Sequence, residues 1–404
     1  MADAPTRTAS STERDAPETT RRGATTGRDA AEIITPGALA RAAEPVAGAL
    51  VRDPGHPGPG AGSAAAPGDR AVPGDRAVPD SVYGAPILYP TPGNPMPRGA
   101  RAGTVVTRDG LTLRTAVFAA EREPAGTVLL VQGRNECIEK YFETAADLAR
   151  AGLASVSFDW RGQGGSERVH GDPMRGHVRH FRAYEWDLEA VIEGVALPDA
   201  PGPLTIVAHS MGALVTLMRA PHLAGRVARL VLLAPLLRLA NQPVGATPMR
   251  LALGALRLLG LGGLYAAGGP RPRVEPDFLT NVLTTDPARH ARNAEIVLSQ
   301  FHLALGGPTV AWVHAALGAM ARATAPAHLA RIDVPTLVIA AGDDAVVSNR
   351  AMEGAVARMR NGNLLTVDGA RHELLQERDR YRAQVLGAVE AFAARRPARA
   401  DAVE

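Results

Sequence analysis

Leu204-Thr-Ile-Val-Ala-His-Ser210-Met-Gly-Ala-Leu214 is the stretch that decides how this chain folds. A short apolar run reads as a buried strand. It ends in a serine, and a small-residue, helix-compatible segment follows at once. Strand, sharp turn and helix with a serine at the corner make a nucleophile elbow. Such a turn holds Ser210 in a strained backbone conformation and lifts its hydroxyl clear of the sheet. Small residues must flank it, because strand and helix nearly touch there. Gly212 fills the second small position, and Ala208 fills the first, where glycine is usual. The pentapeptide alone is a common pattern, and an ordinary serine at a strand end fits it too, so the surrounding sequence has to decide. An elbow makes the chain a serine hydrolase and obliges the rest of it to supply a histidine, an acid and an oxyanion hole.

Working outward, strand-like and helix-like segments alternate. Thr104–Thr107 and Leu111–Ala119 flank Asp109-Gly110, a hairpin turn signal. Thr127–Gln132, Ala154–Phe158, Leu204–Ala208, Leu230–Leu233, Thr336–Ala340 and Leu364–Val367 read as strands. Helices are expected over Lys140–Ala151, His180–Val195, Met211–Pro221, Arg350–Met359 and Arg378–Ala393. Strands that are continuously apolar and alternate with helices predict an α/β fold with a mostly parallel sheet covered by helices on both faces. Leu236–Ala327 breaks the rhythm. It is rich in Leu and Ala, helical by periodicity, and interrupted at Gly260–Gly263 and Gly268–Pro272. It reads as a helical cap inserted into the core, and its apolar surplus suits a lid over a lipophilic pocket.

The expected organisation is therefore a low-complexity tail over 1–84, a first core part over 85–235, the cap over 236–327, a second core part over 328–395 and a C-terminal extension over 396–404. Residues 1–80 are poor in large apolar side chains and cannot offset the entropy of ordering. Within them Pro67-Gly-Asp-Arg-Ala-Val-Pro73-Gly-Asp-Arg-Ala-Val-Pro79 repeats a six-residue unit twice, a linker rather than a solenoid. A short helix fits 38–51, and a start codon chosen too far upstream would also explain the tail.

A serine hydroxyl needs a base, and the base needs an orienting acid. In the order Ser, acid, His, the acid follows a late strand. Thr336-Leu-Val-Ile-Ala-Ala-Gly-Asp343-Asp344-Ala-Val-Val supplies two neighbours, of which only one can face a histidine. Asp344 is preferred and Asp343 is the alternative. Leu364-Leu-Thr-Val-Asp-Gly369-Ala-Arg-His372-Glu places His372 in the loop after the last strand, the only one of eleven histidines in that slot. His209 directly precedes the nucleophile and should point away from it. His177 and His180 are expected on one helical turn but have no third ligand, so no metal site is assigned. The oxyanion hole needs two N–H donors: the backbone of Met211 at the start of the helix, and that of Arg134 after Gly133. The Arg134 and Glu136 side chains could shape the entrance or pair with each other. Asp159-Trp-Arg-Gly-Gln-Gly-Gly-Ser166 fails as a dinucleotide fingerprint, since Glu167 stands where a third glycine belongs. It reads as a loop bracing the site through Asp159 and Arg161, and no cofactor is implied.

The chain has 404 residues, 46% hydrophobic, with a net charge of +3 and 4% aromatics. That is enough for one large domain plus additions, and neither the charge nor the aromatics suggest nucleic acid. One cysteine, Cys137, allows no internal disulfide and no thiolate cluster. No apolar run of about 20 residues predicts a transmembrane helix, and the N-terminus lacks a signal-peptide core. Its arginines and threonines suit a transit peptide, but its early acidic residues do not. The expectation is cytoplasmic, with peripheral membrane contact through the cap.

Gly133-Arg-Asn-Glu-Cys-Ile-Glu-Lys-Tyr-Phe142, Asp159-Trp-Arg-Gly-Gln-Gly164, Gly176-His-Val178, His209-Ser-Met-Gly212 and Gly369-Ala-Arg-His372-Glu together resemble the bacterial lysophospholipase L2 and monoacylglycerol lipase branch of the α/β-hydrolase superfamily. The resemblance runs from about Ala85 to Ala393, cap included. It implies Ser210, Asp344 and His372 as a triad, Arg134 and Met211 as oxyanion donors, and a single-chain lipid ester as substrate. It also favours Asp344 over Asp343, because the family's acid sits just before a Val-Val pair. Departures are Ala208 and Ala213 for glycines, Gln163 where many relatives carry histidine, and Gly165 for a larger residue. None removes a catalytic atom. A general carboxylesterase for small acyl groups and an inactive binding protein of the same fold are the alternatives.

Overall fold

In the computed structural model the residues described are 87–199, 201–241, 245–270 and 277–394. The sequence readings for 1–84, for the helix over 38–51 and for 396–404 lie outside them. Eight strands form one sheet: β1 (Arg101–Val106), β2 (Thr112–Phe118), β3 (Thr127–Val131), β4 (Ala154–Phe158), β5 (Leu204–His209), β6 (Arg229–Leu233), β7 (Thr336–Ala341) and β8 (Gly362–Val367). Their spatial order is β1-β2-β4-β3-β5-β6-β7-β8. β1 pairs antiparallel with β2, and β2 with β4; every later pairing is parallel. Every residue of β3, β4, β5 and β6 is buried. Successive strand side chains point to opposite faces, so a wholly buried strand requires cover on both. β8 lies at the edge and is half open to solvent.

The parallel crossovers carry helices α1 (Phe142–Arg150), α2 (Arg182–Val191) and α3 (Ser210–Arg219). Between β6 and β7 the chain leaves the sheet and forms α4 (Ala246–Leu258), α5 (Pro287–Ser299) and α6 (Val310–Ala323), before α7 (Asn349–Val356) and α8 (Asp379–Ala394) complete the fold. Local chemistry sets these boundaries. Asp286 caps α5 by accepting from the Ala288 and Arg289 amides, with Pro287 at the first helical position, where a missing N–H costs nothing. Thr309 caps α6 and Ser348 caps α7 in the same way. Gly260, at φ +79°, ends α4 in the left-handed conformation that glycine adopts most readily. His177 and His180 do not share a helical turn as the sequence suggested; both lie in irregular chain before α2. His177 contacts Thr309, and His180 stacks edge-on against Trp186.

α6 is apolar almost all round and correspondingly buried, packed between α3 and α4. Its Trp312 indole donates to the Tyr184 hydroxyl of α2 at 3.1 Å. At the other end of the insertion, Arg289 and Arg292 of α5 both grip Glu143 of α1, at 2.9 and 2.6 Å. Burial works against the Glu143 charge, but the Arg289 hydrogen bonds, the nearby Arg382 charge and Arg292 outweigh it and lower the carboxyl to about 2. A carboxyl depressed on folding stabilises above its unfolded value and loses that contribution as pH falls through the folded one. Glu143→Gln should therefore unfold at lower urea than wild type at neutral pH, with the gap closing between about pH 5 and about pH 2. A gap that stays constant across that window contradicts the clasp.

Candidate active site

Ser210 sits where β5 gives way to α3, with φ +49°. A non-glycine residue there is strained by about 1–3 kcal/mol. The strain persists because the surroundings leave no alternative. A Cβ at Gly212 would lie 2.3 Å from the Gln132 carbonyl oxygen and 2.8 Å from that of Val131, so α3 must start against the end of β3 with nothing larger than hydrogen between. Ala208, one strand residue before His209, is wholly buried and pairs with Val131 and Leu232. Its methyl is accommodated within the sheet.

From Ser210 a chain of hydrogen bonds runs through the loops after β8 and β7. Ser210 Oγ is 3.0 Å from His372 Nε2, and His372 Nδ1 is 2.8 Å from Asp344 Oδ2. The other Asp344 oxygen accepts from the Val346 and Val347 amides at 2.8 and 2.9 Å. Burial alone would raise this carboxyl; the hydrogen bond and charge of His372, with the two amides, more than offset that and hold it below the ordinary range. Asp343, the alternative acid, is exposed and offers its backbone N–H to the Ala370 carbonyl at 2.9 Å. Gly342 lets the two loops meet: a Cβ there would lie 2.9 Å from the Asp368 Cα. The His372 loop is tied on both flanks, by Arg371 N–H to Glu377 at 2.8 Å and by Glu373 N–H to the Leu283 carbonyl at 2.8 Å. The second bond reaches into the β6–β7 insertion.

The loop after β3 presents the other proposed donors. Gly133 N–H is taken by the Glu136 carboxylate, and Asn135 N–H by the Gln163 side-chain oxygen at 2.6 Å. Arg134 lies between them. Asn135 has φ +62°, and its own side chain accepts from Leu305 N–H at 3.1 Å. Gln163, a departure from the family pattern, thus fixes this turn. Met211 is the second residue of α3, where backbone N–H groups have no partner within the helix. Arg134 and Glu136 are not partners of one another. The Arg134 guanidinium lies over the Trp312 ring at 5.5 Å and donates to the Gly306 carbonyl. Glu136 is held by Lys140, Tyr141 and His209.

Asp159 braces the site from beneath. It accepts from Ile138 N–H at 3.0 Å, Gly165 N–H at 2.7 Å and Arg114 Nε at 2.7 Å, while Gln132, whose carbonyl approaches Gly212, leans on it at 3.3 Å. Arg161 does not share that role. It pairs with Asp187 and Asp109 and so locks α2 to the β1–β2 turn. Sequence reasoning missed the buried group Glu136, Lys140, His209 and Glu373, because only the fold brings three separate loops together there.

The serine aminopeptidase S33 family matches residues 122–379. The chain belongs to that family. Among its relatives, a probable lysophospholipase L2 of Haemophilus influenzae is 32% identical over 267 residues, 66% of this chain and 82% of the relative. Lysophospholipase L2 of Escherichia coli K12 is 31% identical over 291 residues, covering 70% and 84% respectively. A soluble variant of the monoglyceride lipase of Saccharomyces cerevisiae superposes with TM-score 0.59 at 19% identity, over 76% of this chain and 99% of that one. The fold is that of the α/β-hydrolases, and the kinship makes the chain a carboxylic ester hydrolase.

The two aspartates can be separated by experiment. Asp344→Asn keeps the shape but inverts the hydrogen-bond preference at His372, and should lower kcat by on the order of 10⁴, as in the serine protease template. Asp343→Asn should change it by less than about threefold. Steady-state rates on one soluble ester decide between them, and the reverse ranking overturns the assignment of Asp344.

Proposed function

We propose that this hydrolase cleaves the ester of single-chain lipids, lysophospholipids or monoacylglycerols, through an acyl-enzyme on Ser210. The observation that carries the mechanism is the unbroken Ser210–His372–Asp344 chain at 3.0 and 2.8 Å. Ser210 Oγ attacks the ester carbonyl as His372 Nε2 takes its proton. Asp344 fixes the imidazole tautomer and stabilises the imidazolium that forms. The N–H groups of Met211 and Arg134 receive the negative oxygen of the tetrahedral intermediate. His372 then returns the proton to the leaving alcohol, and in the second half activates the water that releases the fatty acid. The name of the two sequence relatives, lysophospholipase L2, supports a lipid alcohol as leaving group.

The β6–β7 insertion is read as the cap through which such a substrate arrives. Leu251, Leu258 and Leu259 of α4 and its end are 70%, 90% and 74% exposed. Between Leu236 and Pro270 the sequence holds three arginines and no acidic residue. An exposed apolar helix with only positive charge suits the surface of an anionic bilayer, where burying each leucine contributes about 1.5–3 kcal/mol. Among the described residues no helix is long and apolar enough to cross a membrane, so the contact proposed is peripheral.

Rates on a chain-length series of monoacylglycerols and lysophospholipids, beside nitrophenyl acetate and an aminoacyl anilide, test the substrate class. Long-chain lipid esters should exceed acetate by at least about tenfold in kcat/KM. A maximum at acetate, or at the anilide, contradicts the lipid reading. For the surface, Leu258→Asp combined with Leu259→Asp should weaken sedimentation with anionic vesicles by at least about tenfold while leaving nitrophenyl acetate hydrolysis unchanged. Undiminished vesicle binding removes α4 as the contact.

A further inference from the structure

Behind the triad, a group of polar side chains is buried: Glu136, Lys140 and Tyr141 from the segment after β3, His209 from the end of β5, and Glu373 beside His372. The mechanism above uses none of them. Glu136 is surrounded by donors: the Gly133 N–H, the Tyr141 hydroxyl at 2.8 Å, Lys140 Nζ at 2.9 Å and His209 Nδ1 at 3.2 Å. An ionised carboxylate has about four acceptor positions, and here they meet four donors. Lys140 Nζ also reaches Glu373 at 2.6 Å.

His209 is the unusual member. Nδ1 faces the Glu136 carboxylate, and Nε2 lies 3.2 Å from the backbone carbonyl of His372. Both partners only accept. A neutral imidazole has a single N–H and would leave one of these contacts without a proton; an imidazolium satisfies both. The charge count agrees. Two carboxylates, one ammonium and one imidazolium sum to zero, whereas a neutral His209 leaves an uncompensated negative charge in a buried site. Burial works against a charge on His209, but Glu136, by charge and by hydrogen bond, and Glu373 outweigh it and raise the imidazole. The same pairing, with Lys140 contributing most, holds Glu136 well below the ordinary range despite its burial.

We propose that His209 is a standing imidazolium that positions His372, donating one N–H to Glu136 and the other to the His372 carbonyl. The two rings are 4.9 Å apart between centroids and inclined by 54°. The bond from His209 to the His372 carbonyl fixes the backbone that carries the catalytic ring, so the role is one of position. Asp344 lies on the opposite nitrogen and Ser210 ahead of it; Glu136, Glu373, Lys140 and Tyr141 face His209. Glu136 also takes the Gly133 N–H, so one carboxylate links the oxyanion loop to the histidine loop. The inference rests on the triad reading for its catalytic consequence, but not for the charge state of His209.

The test uses the full chain with ¹⁵N-labelled histidine. Two-bond proton–nitrogen spectra between about pH 6 and about pH 9 should hold one imidazole with both nitrogens protonated throughout, where an ordinary histidine changes form near 6.5. That signal should vanish in His209→Asn. His209→Asn, which cannot make both bonds as a cation, should lower kcat on a soluble ester by at least about threefold while leaving KM within about twofold. His209→Lys, which keeps a cation, should recover part of the lost kcat and supplies the assignment if the asparagine variant does not fold. A wild-type His209 with a neutral signature at about pH 8 overturns the proposal, as does an asparagine variant with wild-type kcat. Wild-type protein that cleaves no ester at any pH refutes the triad reading instead, and the spectra still determine the charge on His209.

Discussion

The contact between the start of α3 and the end of β3 is the constraint from which the rest of the site follows. With Gly212 against the Gln132 and Val131 carbonyls, there is no room for the chain to leave β5 by a relaxed turn. Ser210 is forced to φ +49°, and its side chain projects from the corner. The cost of about 1–3 kcal/mol is met by what the close approach brings within reach: a buried sheet on either side, a bond from Leu236 N–H to the Ser210 carbonyl at 3.1 Å, and the loop after β3 directly alongside. Gln132 serves both ends of this arrangement. Its carbonyl also accepts from the Trp160 indole at 2.8 Å, while its amide leans on Asp159.

The parallel sheet supplies the remaining groups for a topological reason. Parallel strands end on the same edge, and ligand-handling loops of such sheets gather there. β3, β5, β7 and β8 deliver Arg134, Ser210, Asp344 and His372 from positions far apart in the chain. Their loops are then joined by buried polar contacts rather than by packing alone. Glu136 connects the first loop to the second through His209, and Lys140 connects it to the fourth through Glu373. Polar networks of this kind are stabilising only when every member is satisfied, which is why the charge on His209 matters to the whole edge of the sheet.

Much of this was legible in the sequence, for identifiable reasons. Strands such as Leu230–Leu233 were readable because a strand buried on both faces can be apolar throughout, and the hairpin because Asp109-Gly110 marks a turn. The elbow was readable because its steric demand leaves small residues as a signature. Asp344 was separable from Asp343 only through family resemblance; in the structure the difference is a loop that turns one carboxylate onto His372 and leaves the other exposed. The pairing suggested for Arg134 with Glu136 did not form, because Arg134 turns to the distant Gly306 carbonyl and Trp312 ring while Glu136 is taken by Lys140, Tyr141 and His209. Placing His177 and His180 on a helix extended α2 past its actual start at Arg182. The Glu136–His209 pair had no sequence signal at all, since its meaning depends on three loops converging.

The central claim is that Ser210 is the nucleophile and that His372 activates it. The most direct measurement is peptide-mapped mass spectrometry after brief exposure to a fluorophosphonate, which forms a stable adduct only with an activated serine. A single adduct on the peptide bearing Ser210, formed at least about a hundredfold more slowly in His372→Ala, is the predicted result. An unmodified Ser210 in the wild-type protein, or labelling that does not depend on His372, would contradict it.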